Sequence, residues 1–557
     1  MRNEEYLKSE YSQFPIPHSL LLIPYSPHPT MDKTLEHLLS TVVHMRREAE
    51  ELEKEEDVIK VSETVSAAAS VYETVRNALE YDEEHLLRRN AIRRILKRRM
   101  TDAPSAEMSQ KLLRELIWAR YLPNAKVPSR MAQGVGAILE KYKLLFGTLE
   151  SESRNGQRAY EWLLDVLSVE IEYSLGPPCI DEALASFAYQ EIKKRVEWQA
   201  QTLAQEDRDL QLYIAIHRTV LRSNQATLRY RILTLYYNHW RKAAAGDQVV
   251  KEIAMNLLKV IDTVERQIQH PAQDEMYRFV RRHAVVFHVL SDIVDDNPEA
   301  FARDLHAADL TTIDSAASKA VETRYTAFRT KLRRTVVRAA LFLLLTKSIL
   351  AVLVELPYEI FVLRTTDYLP LAVNILFPPL LLMFIALSVR IPKRKNTARI
   401  LQELHAICGI GEEFSLIFKR KRHWGRGALW WIFNTLYVAI LVATVGVIAS
   451  VLSSFGFNAL SIFFFVLFLS LVAYFGLRIR NTRRELMVID SSRGFFSVLA
   501  DMLFLPIVRA GRWVALRAPR VNIFLFFFDF IIEAPFKAAI DIVESWLAFL
   551  REKQEEI

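Results

Sequence analysis

The chain has 557 residues, more than one ordinary domain holds, and 51% of them are hydrophobic. Its 15 glycines are few for that length, which favours helices over many-turned β architectures. Two cysteines, Cys179 and Cys408, exclude a disulfide framework and a four-cysteine metal site, while the formal charge of +7 points to an acidic partner, nucleic acid or anionic lipid.

Polar and apolar residues are segregated. Charged, amphipathic sequence fills the chain up to about residue 335, and long apolar runs follow. The fold expected is all-α: a large helical cytoplasmic domain, then a multi-pass α-helical membrane domain of two hairpins, then amphipathic interfacial helices.

Residues 1–30 form an arm in which Pro15, Pro17, Pro24, Pro27 and Pro29 rule out one regular helix. The apolar patch Ser19–Ile23 is below the length of a signal core. A first helical subdomain is expected over 31–175. Leu35, Leu38, Val42, Met45, Ala49 and Leu52 make a short heptad seam, read as an intramolecular hairpin. Residues 83–99 are basic, and pairing with the acidic run Glu48–Asp57 just before them is expected in preference to nucleic acid or headgroups. Helices are predicted over Arg130–Phe146 and Arg158–Ser174. Gly176-Pro177-Pro178 then marks the start of a second helical subdomain, 176–335. Helical patterns cover 181–245, 247–269 and 272–295. Asp296-Asn297-Pro298 is a turn or helix start, and a last helix from about Thr312 runs on into the membrane. No strand pattern stands out before residue 335.

The apolar runs are Val336–Leu356 and Leu369–Val389, in a hairpin over 336–391, and Ala428–Val451 and Ala459–Leu477, in a hairpin over 428–479. Each is near the roughly 20 residues that cross a hydrocarbon core of about 30 Å. Basic residues bracket them. Lys331, Arg333, Arg334 and Arg338 begin the first run. Arg390, Lys393, Arg394 and Lys395 follow the second. The basic insert 392–427 adds Lys419, Arg420, Lys421 and Arg422, and Arg478, Arg480, Arg483 and Arg484 follow the fourth run. The residues from Arg390 onward are candidate contacts for anionic headgroups. Of the two opposite connections, Pro357–Tyr368 contains Arg364 and Leu452–Asn458 contains no Lys or Arg. The positive-inside bias therefore expects both termini in the cytoplasm, and a bacterial cytoplasmic membrane fits.

The segment 480–557 is apolar in shorter pieces, Phe495–Val508 and Val521–Ile532. These are read as helices in the cytoplasmic interface, with Arg512, Arg517 and Arg520 near headgroups. A re-entrant or spanning pair is the competing reading. Asp529, Glu533, Lys537, Asp541 and Glu544 would form one polar stripe on a helix there.

Inside the first run sit Lys347, Glu355 and Glu359, with Pro357 between the carboxylates. A charge at that depth is costly and should face protein or water. One reading is an ion or proton path through Lys347 and Glu355; the other is an internally paired or snorkelling lysine. Asn374 and Asn434 are candidates for hydrogen bonds between helices, and Pro378-Pro379 for a break in the second run. No phosphate loop, dinucleotide fingerprint, metal constellation or catalytic set occurs, so no enzyme, cofactor or metal is expected. His283 and His288, five apart beside Arg281 and Arg282, do not read as a metal site. The function expected is a non-enzymatic docking or scaffold module at the cytoplasmic face. An oligomeric ion or small-solute transporter or channel is the alternative, and a lipid-handling protein a weaker one. The expected partners are anionic headgroups and a protein partner or a second copy, not nucleic acid.

Overall fold

The computed structural model describes residues 33–52, 57–63, 86–99, 104–149, 153–199, 203–307, 309–364, 368–389, 394–419, 428–488, 505 and 507–515. The Pro-rich arm, the stripe from Asp529 to Glu544, and Arg390, Lys393, Arg420, Lys421, Arg422, Arg517 and Arg520 lie outside them. The described residues are overwhelmingly helical and divide into two compact units, the second of which takes in 196–199 as well as everything from Arg281.

The first unit contains α1 (Lys33–Leu52), α2 (Leu87–Arg99), α3 (Ser105–Trp118), α4 (Arg130–Gly147), α5 (Arg154–Leu175), α6 (Cys179–Arg195), α7 (Gln205–Thr219), α8 (Gln225–Tyr236), α9 (Gln248–Met255), α10 (Leu257–Ile268) and α11 (Gln273–Val280). α5 is its axis, packed by α2, α4, α8 and α10. Trp162, Leu163, Leu164, Val166, Leu167, Val169 and Ile171 are all buried on it. α5 and α8 lie on opposite sides of the Gly176–Pro178 break, yet they share one apolar core. The seam Leu35, Leu38 and Val42 is buried and covered by α6, far along the chain.

The basic helix α2 pairs with α5, and residues 53–56 of the acidic run before it lie outside the described residues. Arg88 Nε donates to both Glu172 oxygens, at 2.8 and 2.9 Å. Arg93 reaches Asp165 and Glu161, and Lys97 reaches Glu161 at 2.7 Å. Glu161, Asp165 and Glu172 recur at helical spacing along one face of α5, so a long register of charges matches α2. A local charge run cannot show that match. A second polar tie is fully buried. Glu170 on α5 accepts from Lys141 Nζ, from the Tyr142 hydroxyl at 2.7 Å and from Trp240 Nε1 at 2.8 Å. Lys141 also donates to the Trp240 carbonyl at 3.0 Å and lies 4.3 Å from its ring centre. Burial, with the Glu170 carboxylate beside it, pushes the Tyr142 hydroxyl well above the ordinary tyrosine range.

The second unit contains β1 (Val196–Gln199), α12 (Ala284–Asp296), α13 (Pro298–His306), α14 (Leu310–Leu363), α15 (Tyr368–Leu387), α16 (Arg394–Ile407), β2 (Leu416–Lys419), α17 (Ala428–Ser454) and α18 (Ala459–Thr482). β1 corrects the expectation of no strand before residue 335. It pairs in parallel with β2, Val196 opposite Leu416. Its four residues are too few for a periodic signal, and the partner is distant in sequence. Asn297 caps α13, its side chain accepting from Ala300 N, and Pro298 takes the first turn.

α14 is the backbone of this unit. Its 54 residues span roughly 80 Å at about 1.5 Å each. Its polar first half carries α12, α13 and α16. Arg324 donates to Asp292 at 2.7 Å and to the His288 carbonyl at 2.8 Å. Asn396 of α16 donates to the Tyr325 hydroxyl at 2.9 Å and to the Leu486 carbonyl at 2.8 Å, and accepts from Val488 N at 3.0 Å. Its apolar second half packs on α15, which packs on α18; α17 lies against α18. Among the described residues, α14, α15, α17 and α18 are the helices long and apolar enough to cross a membrane. α15 runs unbroken through Pro378 and Pro379, so the expected break does not occur.

Residues 507–515 are helical. A Cβ on Gly511 would run into the carbonyl of Ser470. Ser470 lies midway along α18. Gly476 is also close-packed: a Cβ there would fall 2.9 Å from Ile385. Small residues let helix backbones approach in this way.

Burial, with Arg231 nearby, holds the His217 imidazole well below the ordinary histidine range. The folded chain therefore refuses a proton that the unfolded chain accepts. The stability this contributes is complete above the ordinary value near 6.5 and falls as pH drops below it, by at most about 1.4 kcal/mol per pH unit. His217→Gln should flatten the loss between pH 7 and 5 in denaturation followed by tryptophan fluorescence; an unchanged slope contradicts this. Gly511→Val should lower the thermal midpoint of the detergent-solubilised chain by the equivalent of about 1–3 kcal/mol. Gly446→Ala, at a glycine with open space around it, should not.

Candidate functional site

A cluster of polar side chains lies buried between α14, α15 and α18. Lys347 and Glu355 of α14, Asn374 of α15 and Ser461 of α18 are all sealed from solvent. Glu355 is the centre. One carboxylate oxygen accepts from Lys347 Nζ. The other accepts from Asn374 Nδ2 at 2.6 Å and from the Ser461 hydroxyl at 3.3 Å. Asn374 Nδ2 also donates to the Ser461 carbonyl at 3.3 Å. The Lys347 ammonium sits 5.1 and 5.0 Å from the ring centres of Phe464 and Phe468. Those electron-rich faces complete its surroundings.

Backbone geometry makes the pair possible. Eight residues of α-helix turn through about 80° beyond two full turns, so Glu355 would point away from Lys347. Over Ala351–Glu355 the helix widens to a π turn, with Leu356 N donating to the Ala351 carbonyl. Closing i→i+5 takes up the excess rotation and returns Glu355 to the lysine's face. Pro357 lies just beyond and has no amide hydrogen to give the carbonyl of Leu353. A second π turn covers Glu359–Leu363, and Arg364 ends the helix in the left-handed region at φ 55°.

Nearer that end, Glu359 accepts from Asn458 Nδ2 at 2.8 Å. The other atom of the same amide, Oδ1, accepts from Ser461 N at 2.8 Å and caps α18. Both carboxylates of α14 therefore lie by the N-terminus of α18, where its dipole favours negative charge. Apolar clusters flank the site: Leu343, Leu382 and Val472 on one side, Leu452, Phe457 and Phe465 on the other.

The structure thus gathers Lys347, Glu355 and Asn374 in one network, with Glu359 adjoining it. Asn434 lies outside it, half-buried on α17. Ser461, Asn458, Phe464 and Phe468 were not singled out from sequence. Asn458 carries a signal, since Asn just before an apolar run is a helix cap. The other three look like ordinary members of that run.

The basic residues gather at the far end of the same helices. Asn396 joins Tyr325, Leu486 and Val488, so the stretches holding Lys331–Arg338, Arg394–Lys395 and Arg478–Arg484 share one end of this bundle. Arg333, Arg334, Arg338, Arg394, Lys395, Arg478 and Arg484 are exposed there, with Arg480 and Arg483 half-buried. Lys419 closes β2. Arg512 is exposed, and the Arg509 guanidinium lies 5.1 Å from the Tyr437 ring centre on α17. Among the described residues no group of His, Cys, Asp and Glu is placed to hold a metal ion.

Lys347→Met should leave Glu355 buried without its counter-charge and cost about 3–5 kcal/mol, as breaking such a pair does. Lys347→Met combined with Glu355→Leu should recover most of that loss in thermal unfolding of the detergent-solubilised chain. A double variant destabilised by the sum of the losses in Lys347→Met and Glu355→Leu would show that the two charges do not interact. Set against known proteins, the chain matches no family model, no curated protein and no solved structure.

Proposed function

We propose that the protein is a multi-pass membrane protein whose helical units form a docking platform at the cytoplasmic face of a bacterial cytoplasmic membrane. One observation supports this most: α14 is a single rod. Its polar half is clasped by α12, α13 and α16, and its apolar half holds the buried pair Lys347–Glu355. A platform built on such a helix keeps a fixed attitude to the bilayer. The basic end of the bundle faces the cytoplasm under the positive-inside bias, with Arg394, Lys395, Arg478, Arg480, Arg483 and Arg484 at anionic headgroups.

A partner needs an apolar anchor, and the first unit exposes Met255 (74%) and Leu258 (51%). A photoreactive benzophenone side chain at either position, in the full chain in native membranes, should give a discrete protein adduct. Adducts to lipid alone would overturn the docking reading. Orientation is tested separately. With Cys179 and Cys408 replaced, Phe455→Cys should react with a membrane-impermeant maleimide from outside intact cells. Reaction only after the membrane is opened would reverse the topology.

A second reading, an ion path, is favoured by the intramembrane cluster. Ionisable residues inside apolar helices are costly and concentrate where ions or protons move.

A further inference from the structure

We infer that the basic end of the membrane bundle holds one lipid with two phosphates on its headgroup, of the cardiolipin type; this rests on the proposed contact of that end with anionic headgroups. The first observation is uncompensated charge. In the first unit, cations are matched to carboxylates: Arg88 to Glu172, Arg93 to Glu161 and Asp165, Arg231 to Glu182. At the end of the bundle they are not. Arg329 and Arg333 of α14, Arg394 and Lys395 of α16, and Arg483 just after α18 have no ion-pair partner among the described residues. The stretches 329–338, 394–399 and 478–485 contain a single acidic residue, Glu485. Arg394 and Lys395 stand in the first turn of α16, which has no acidic residue, and the positive end of the helix dipole adds to the excess.

The second observation is that three elements bring these cations to one junction. Asn396, next to Lys395, donates to the Tyr325 hydroxyl and the Leu486 carbonyl and accepts from Val488 N. Arg329 and Arg333 follow Tyr325 by one and two turns, about 40° and 80° round α14. Arg334 and Arg338 lie about 180° and 220° round, on its other side. Arg483 is three residues before Leu486. The depth is that of headgroups. Arg333 precedes Val336, where the apolar run begins, by about 4.5 Å of helix, within the polar layer of roughly 5–8 Å on each side of a bilayer core.

The chemistry of the junction selects the ligand. A guanidinium fork matches phosphate oxygens, and four of these five cations are Arg. One lipid phosphate carries a single charge and cannot offset cations on both α14 and α16. Two phosphates on one headgroup can, one against Arg329 and Arg333 and the other against Arg394 and Lys395. Phe384 and Leu387, at the end of α15, are exposed and give the acyl chains an apolar surface that a soluble phosphate would not use.

The test uses the full chain in detergent, stripped of native lipid and titrated with lipid in the same micelles, with bound lipid counted by native mass spectrometry. One cardiolipin per chain should be retained at a concentration at least about tenfold below that needed for phosphatidylglycerol, compared at equal phosphate. Arg329→Gln with Arg333→Gln, and Arg394→Gln with Lys395→Gln, should each raise the cardiolipin needed by at least about tenfold. Arg334→Gln with Arg338→Gln removes the same charge from the other side of α14 and should change it by less than about twofold. Asn396→Leu keeps every charge but loosens the junction, so it should erase the preference for cardiolipin and leave phosphatidylglycerol retention unchanged. Equal retention of the two lipids, or an equal loss in all three double variants, would overturn the two-phosphate site and leave the headgroup reading in place. Retention of no anionic lipid would overturn both. Displacement of cardiolipin by inorganic pyrophosphate at equal concentration would overturn the lipid in favour of a soluble phosphate.

Discussion

An apolar helix bundle does not tolerate an unpaired charge, and much of the second unit follows from Lys347. Its ammonium has a carboxylate at Glu355 and two aromatic faces, and its side chain is sealed from solvent. Glu355 in turn has oxygens to satisfy, and the donors come from α15 and α18. So one costly residue on α14 fixes which helices must meet it and at what height. α17, which contributes no hydrogen bond to the cluster among the described residues, is less buried against the other helices. Only 6% of its apolar stretch is buried against protein, compared with 28–33% for the other long apolar helices. Polar pairing sorts the helices in a setting where apolar burial alone discriminates little.

The first unit contains a second buried lysine–glutamate pair, and the contrast is instructive. Around Lys141 and Glu170 the donors and acceptors close on one another. Tyr142, Trp240 and Lys141 all donate to Glu170, and the lysine's second bond goes to the Trp240 carbonyl. Such a network is a tie between α4, α5 and the turn at Trp240. Around Lys347 and Glu355 one acceptor, Asn374 Oδ1, has no hydrogen-bond partner among the described residues. Two pairs with the same charges thus differ in what they leave available.

Much of this was legible from the residues, and the failures have physical causes. Span-length apolar runs, the flanking basic residues, the Asn297-Pro298 helix start and the passage of a soluble helix into the first run are local patterns, and the structure follows them. Lys347, Glu355 and Asn374 were legible as costly residues because depth alone makes them so. Their meeting was not, since it needs a π turn that no periodicity announces. Ser461, Phe464 and Phe468 were hidden for the opposite reason: in an apolar run they look like filler. The pairing of α2 with α5 was not legible because the matching register along α5 lies many residues away. β1 was missed because a four-residue strand with a distant partner has no period to detect.

The π turn also shows why the site cannot be divided into parts. With a plain α-helix, Glu355 points about 80° away from Lys347, and both charges face apolar surroundings alone. With the wide turn they meet, but the ladder of hydrogen bonds around Pro357 must shift to i→i+5. A shift of this kind is unfavourable by itself and persists where neighbours over-determine it. Here the neighbours are the donors on α15 and α18 and the cap at Asn458, which holds Glu359 one turn further on. The charge pair stabilises the wide turn, the wide turn aligns the charge pair, and the adjacent helices hold both. Helix register, backbone form and charge balance in this unit are therefore one arrangement, and a change in the charge carried at Glu355 acts on all three together.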